Sequence, residues 1–257
     1  MPRSIRERGD FQKRDLEIFQ YLWRWKLSTT QAIAYRFFPS PKTAYNRLIE
    51  LKQRGYIELQ VLDSAGWKFA WTLTPKGFRV IQKDLPLLRE EGFRSEHSRH
   101  DLLVNACHLG QWLGNVQTDQ DVFSEQELRR CDFATFPDWV PQSDEHRPDG
   151  YWYVPHKGKK LVIALEVELH LKKASDYACC ARFYGRNQSI TRAVWIAGSV
   201  AITEALRSAF DREGTDTAGI HDIIALEDFL KFHWQAVILH GIEQGKTLSF
   251  VLGNKPQ

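Results

Sequence analysis

No stretch of the 257 residues approaches the ~20 consecutive apolar residues that a bilayer-spanning helix needs, so membrane insertion is not expected. The opening residues, MPRSIRERGDFQKRD, are charged and lack the apolar segment of a secretory signal, which leads us to expect a cytoplasmic protein. Cysteine is scarce. Cys107, Cys131, Cys179 and Cys180 form no C-x-x-C pair with a partner pair, so reduced, packed thiols are expected and a zinc site is not. Core material is present: 43% of the chain is hydrophobic and it holds nine tryptophans. The length allows two small domains or one large one.

The net charge of +3 conceals an asymmetry. Residues 1–83 carry 16 Lys and Arg against 7 Asp and Glu, or +9, and the remainder carries 19 against 25, or −6. Phosphate neutralisation dominates nucleic-acid affinity, so the basic first part is the expected DNA-docking module.

Residues 12–26 place Leu16, Phe19, Leu22 and Trp23 at helical spacing. A second helix is expected over TTQAIAYRFF with Ser28 as its cap, and a third from Pro41 to about Arg54, ended by Gly55. YIELQVL and KFAWTLT then read as a β-hairpin turning at 63–66. Three helices followed by a hairpin is the order of a winged helix-turn-helix. On the third helix, Ala44, Leu48 and Leu51 form the inward stripe. Lys42, Thr43, Asn46 and Glu50 lie opposite, with Arg47 on the flank. Asn and Arg suit adenine and guanine edges in a major groove, and Lys68 on the hairpin suits a phosphate. A helical domain for protein contact is the alternative.

The polar segment DLPLLREEGFRSE marks a boundary, which we set at a linker over 84–95 between domains 1–83 and 96–257. The following EHSRHDLLVNACHLGQWLGN is an amphipathic helix. Its His97, His100 and His108 are read as capping or packing groups in preference to metal ligands. Further on, DVFSEQELRR reads as a strand, 131–146 as a loop, and 150–155 and 161–169 as strands about a basic hairpin of His156, Lys157, Gly158, Lys159 and Lys160. LHLKKASDYACCARFYGRN reads as a helix, RAVWIAG as a strand, VAITEALRSAFDR as a helix, DIIAL as a strand and EDFLKFHWQAVILHG as a terminal helix. This order predicts an α/β class (α+β overall) with a mixed sheet.

Glu166 and Glu168 interrupt the apolar run LVIALEVEL two positions apart, so they share one strand face. Two carboxylates there are costly unless compensated, and a hard cation such as Mg²⁺ would compensate them. A structural pair bonded to backbone, Arg147 or Arg182 is the other reading.

Pro148-Asp149 and Glu166-Val167-Glu168, in this order of elements, resemble the PD-(D/E)xK nuclease superfamily, the restriction-endonuclease fold. In that pattern carboxylates hold Mg²⁺ and a lysine two residues after the glutamate orients the attacking water. Here that position holds Glu168. Lys172 or Lys173 could supply the cation, Glu168 could be a further ligand, or activity could be lost. More widely, LTPKG, H-x-x-HDLLVN, FSEQELR, RPDGYW and ALEVELHLKKASDY resemble the MobC-type replication-relaxation family, over roughly residues 12–230.

The resemblance implies a plasmid mobilisation relaxase, a metal-dependent endonuclease that nicks one DNA strand at the origin of transfer. Its domains would be a winged helix and a restriction-endonuclease-like domain. Carried over, Asp149, Glu166 and Glu168 would bind Mg²⁺ (or Mn²⁺), with Lys172 as the fourth catalytic residue. The implied partners are double-stranded plasmid DNA at the transfer origin, an accessory mobilisation protein and a coupling protein. The histidine–hydrophobe–histidine triad of commoner relaxases is absent. Tyr151, Tyr153, Tyr177 and Tyr184 lie near the motif, but none is assigned as nucleophile, and water is equally allowed. A non-catalytic replication or transcription regulator with a degenerate nuclease-like domain is the alternative function.

Overall fold

A computed structural model describes residues 11–64, 67–89, 92–109, 122–156, 159–214 and 219–252. It divides into two units, one built on residues 1–106 and the other on most of the chain after Cys107.

In the first unit, helix α1 (Lys13–Trp25) buries Ile18, Phe19 and Leu22 along one face. Strand β1 (Leu27–Ser28), helix α2 (Thr30–Phe37) and helix α3 (Pro41–Gln53) follow. Thr29, not Ser28, caps α2: its hydroxyl accepts the Ala32 N–H, whereas Ser28 is drawn into strand pairing opposite Trp71. Ser40 caps α3 ahead of Pro41, and Ala44, Leu48 and Leu51 are buried. Strands β2 (Ile57–Ser64) and β3 (Trp67–Leu73) join β1 in an antiparallel sheet ordered β1–β3–β2. The hairpin tip, Ala65-Gly66, lies outside the described residues.

Helix α4 (Pro75–Ile81) follows the hairpin, where the sequence analysis places no helix. The Thr74 hydroxyl accepts the Gly77 N–H and Pro75 opens the first turn, a start signal legible in TPKG. A Cβ on Gly77 would stand 2.0 Å from the Tyr56 carbonyl oxygen, so the close approach of α4 requires glycine.

Helix α5 (Ser98–Leu109) was expected to belong wholly to the second domain. Its first part instead groups with the first unit, up to Ala106. Leu102 packs with Leu27, Leu62 and Ala70, and the Asn105 amide donates to the carbonyls of Trp25 and Leu27. Lys26 Nζ lies 3.4 Å from Asp101 Oδ1. These contacts move the boundary from residue 96 to the far half of α5. The expected continuation of that helix past Leu109 lies outside the described residues.

The second unit is built on a six-stranded mixed sheet. Its strands are β4 (Val122–Ser124), β5 (Gly150–His156), β6 (Lys159–Glu168), β7 (Arg192–Ala197), β8 (His221–Ala225) and β9 (His240–Gly241), adjacent in that order. β6, β7 and β8 run parallel, and the other pairings are antiparallel. The turn residues Lys157 and Gly158 lie outside the described residues. Helices α7 (Ala174–Arg186) and α8 (Val200–Glu213) contribute Tyr184, Leu206 and Phe210 to a core shared with Tyr151, Ala164 and Trp195. The architecture is mixed α/β, as the sequence predicts at that level.

Three elements differ from expectation. DVFSEQELRR is a strand only to Ser124 and then turns into helix α6 (Glu125–Leu128). Ser124 and Glu127 form a reciprocal capping pair that starts a helix, and this S-x-x-E signal outweighs the local β-propensity. α7 begins at Ala174, which leaves Leu169–Lys173 as a loop. The long terminal helix stops as α9 (Leu226–Phe232), because His233 takes a φ of 52°. The chain then returns as β9 and ends in α10 (Leu248–Val251).

Candidate functional site

The candidate site forms where β6 reaches the end of its pairing with β7. Asp149 immediately precedes β5. Its backbone N–H donates to Leu165 O (3.0 Å), and its Oδ2 accepts the Val167 N–H at 2.7 Å. Gly150 follows with φ 144°, and a Cβ there would fall 2.4 Å from His108 Nε2 and 2.8 Å from Phe123 O. The Asp-Gly pair is therefore a steric requirement: glycine lets the chain pass His108 and enter β5. His108 Nε2–H donates to the Asp149 carbonyl (3.1 Å), a packing role consistent with the reading of that histidine.

Strand alternation brings Glu166 and Glu168 to one face, opposite Trp195 and Ala197 of β7. They are 9% and 6% exposed. Lys172, in the loop after β6, places Nζ 2.7 Å from Glu168 Oε2. Burial raises the Glu168 pKa. Lys172 opposes that rise, the charges of Glu166 and Asp149 add to it, and the net value stays above the ordinary range. For Lys172, burial opposes the charge, but the bond to Glu168 outweighs it and the pKa is raised. Glu168 thus feels the charges of Lys172, Glu166 and Asp149, and Lys172 those of Glu168 and Glu166.

Glu166 has different partners. Its Oε1 accepts from both Tyr184 OH and His146 Nε2. Cys180 Sγ stands 3.9 Å from the other nitrogen, His146 Nδ1. Burial disfavours the imidazolium, but the Glu166 carboxylate, aided by Cys180, raises the His146 pKa to about 10. The sequence reading did not single out His146, which lies in a loop with no periodicity to mark it. Its position three residues before Asp149 was the available signal. The arginines suggested as partners are turned elsewhere: Arg182 NH1 pairs with Glu213 (2.7 Å), and Arg147 Nε lies 3.8 Å from Glu125.

Among the described residues, no group of three or more His, Cys, Asp and Glu side chains is arranged to hold a metal ion. The donor chemistry nonetheless suits a hard divalent cation, since the three carboxylates offer only oxygen. Glu166 and Glu168 each meet their partners through one oxygen. Glu166 Oε2 and Glu168 Oε1 accept no hydrogen bond among the described residues.

The four candidate tyrosines are built into packing. Tyr151, Tyr177 and Tyr184 are each 1% exposed. Burial and the Glu166 charge raise the Tyr151 and Tyr184 pKa values, so both hydroxyls stay protonated. Tyr153 stacks on Trp139 at 4.9 Å, with Lys160 Nζ over its ring.

In the first unit, Lys42, Thr43 and Asn46 are exposed on α3 and Lys68 on β3, with Tyr45 exposed beside them. Arg47 is a correction. Its Nε bonds Asp15 Oδ1 at 2.9 Å, and its two terminal nitrogens meet Asp15 and Glu50. Asp15 is fully buried, and the pair holds Arg47 against α1. His97 is exposed ahead of α5, where its carbonyl accepts the Asp101 N–H, and His100 Nδ1 lies 3.5 Å from Asp101 Oδ1.

A cavity of about 410 Å³ lies along β8 and β9, lined in part by Arg207, His221 and Gln244. None of the four carboxylate-site residues is in its wall.

No family model matches the chain, and no curated protein does. Among solved structures it is similar to one of the restriction endonuclease FokI bound to DNA, at 12% identity and a TM-score of 0.29. The similarity covers 85% of this chain and spans 43% of that one.

Proposed function

We propose that the chain is a divalent-metal-dependent DNA endonuclease of the replication-relaxation kind. In this reading a winged helix selects the site, and a PD-(D/E)xK-type domain nicks one strand at a plasmid transfer origin. The observation that carries it is the 2.7 Å pairing of Lys172 with Glu168 on the face shared with Glu166, where the charge of Asp149 also acts. Lys172 pairs with Glu168 and acts electrostatically on Glu166, although the usual lysine position holds glutamate.

Asp149, Glu166 and Glu168 would hold Mg²⁺ or Mn²⁺, which when bound neutralises phosphate charge and acidifies an attacking water. Lys172 supplies positive charge for the phosphate as negative charge builds on it. The Val167 N–H keeps Asp149 turned toward β6. Water is the nucleophile in this reading, because three of the four nearby tyrosines are buried and the fourth is stacked. The basic first unit docks the duplex, with Lys42, Thr43 and Asn46 of α3 toward the major groove and Lys68 toward phosphate. A coupling protein and an accessory mobilisation protein belong to the same proposal.

The test is conversion of a supercoiled plasmid carrying the transfer origin to open circles with Mg²⁺. Wild type should nick, and Asp149→Ala and Glu166→Ala should lower the rate by about 10²-fold or more. Equal nicking by the variants, or none by wild type, refutes the catalytic reading.

One observation favours a second reading, a DNA-binding replication or transcription regulator: each carboxylate already has a protein partner. That reading expects origin binding without open circles, unchanged by Glu166→Ala.

A further inference from the structure

Strand β6 ends at Glu168, and residues 169–173 cross to α7 without a buried side chain of their own. Such a loop takes its shape from hydrogen bonds. Backbone groups fasten its two ends: the Gly198 N–H donates to Glu168 O (2.8 Å) and the Asp176 N–H to Lys173 O (3.0 Å). A side chain fastens its middle. Tyr177, in the first turn of α7, is 1% exposed, and its ring belongs to the core of the second unit. Its hydroxyl accepts the Lys172 N–H (3.1 Å) and donates to His170 O (3.5 Å). Donor and acceptor are both spent on this loop. Phenylalanine would fill the same core volume, so the oxygen serves the loop and not the core. Lys172 itself is 52% exposed, with Nζ 2.7 Å from Glu168 Oε2. A half-exposed lysine keeps rotamers that lead away from its partner, and where its ammonium stands depends on where its backbone is held.

We propose that Tyr177 is a positioning residue for Lys172: its hydroxyl holds the loop after β6 so that the ammonium stands at Glu168, the position where the nuclease pattern carries the lysine itself. The inference rests on the role given to Lys172 in the nicking reaction. A cation carried on a strand is fixed by the sheet, whereas one carried on an exposed loop is only as fixed as the loop. Small displacements of a charged group near a reacting centre cost rate. The role asks neither exposure nor ionisation of Tyr177, in keeping with its burial.

The test compares wild type, Tyr177→Phe, Lys172→Met and the double variant, each as the full chain, by plasmid nicking with Mg²⁺ and by hydrogen exchange of backbone amides. Tyr177→Phe keeps the buried ring, and thermal melting checks that it folds. Its kcat should fall about tenfold or more with KM for the plasmid unchanged. Its Lys172 amide should exchange about fivefold or more faster, while the amides of β6 keep their rates. In the Lys172→Met background the same substitution should change nicking by less than about twofold, because the group it positions is gone. Full nicking by Tyr177→Phe, an equal loss in both backgrounds, or an unchanged exchange rate at Lys172 overturns the inference and leaves the catalytic reading standing. Absence of nicking by wild type overturns both. Wild type alone supplies a further check: Lys172 should exchange about fivefold or more slowly than the adjacent Leu171 once intrinsic rates are divided out, and equal rates overturn the inference whether or not the variant folds.

Discussion

Asp15 in the first unit and Glu166 in the second are both buried carboxylates, and their oxygens are used in opposite ways. Asp15 is saturated: Arg47 takes both oxygens in a fork, and the Gln12 N–H adds a third donor. Glu166 concentrates its donors on one oxygen and leaves the other without a bond among the described residues. The first arrangement joins α1 to α3 and leaves nothing for a ligand. The second holds a side chain in place through a single oxygen. Burial alone does not separate the two carboxylates; the distribution of partners between their oxygens does.

The largest effect should come from breaking the saturated site. Arg47→Ala strands a fully buried Asp15 and should destabilise the first unit by about 3–5 kcal/mol in denaturant unfolding. Asn46→Ala, one residue away but exposed, should leave stability unchanged and cost about 1–3 kcal/mol in binding to the specific site. A stable Arg47→Ala variant that loses only base discrimination would reverse the assignment.

Lys172→Met tests the other region. Nicking should fall about 10²-fold, while stability changes by less than about 1 kcal/mol, because Lys172 is 52% exposed and its pair is screened. A large loss of stability with nicking retained would make the ion pair a structural one, like Arg47–Asp15.

The smallest effect is one of pH. His146 titrates near 6.5 when unfolded and at about 10 in the fold. Its pair with Glu166 therefore contributes stability that is complete below pH 6.5 and is lost as pH rises through about 10. The difference in unfolding free energy between wild type and His146→Gln should be greatest at pH 6 and fall as pH rises through about 10. A difference that stays flat across this window would show that no imidazolium faces Glu166.

Local pattern carried much of the fold. The 3.6-residue spacing of Ala44, Leu48 and Leu51 and the Ser40-Pro41 start mark α3 without any structure, and two-residue alternation puts Glu166 and Glu168 on one face. Structure and local pattern part where a helix-start signal outweighs strand propensity or a distant contact wins. Ser124 and Glu127 announce a helix inside a run with strand propensity. Thr74-Pro75 announces α4. Asn105 reaches back 80 and 78 residues to the Trp25 and Leu27 carbonyls, which no window along the chain contains.

The site divides along the same line. The residues of this chain determine by themselves that Asp149 precedes a strand, that two glutamates share a face of the next, and that lysines follow, because strand period and turn chemistry are short-range. Only the tertiary structure decides which groups answer those charges. His146 comes from 20 residues before Glu166 and Tyr184 from 18 after it. Arg47, which helical spacing sets beside the exposed face of α3, is claimed by Asp15 from 32 residues away. A buried charge takes the partner that packing brings within hydrogen-bond reach, and reach in space is not a property of spacing in sequence.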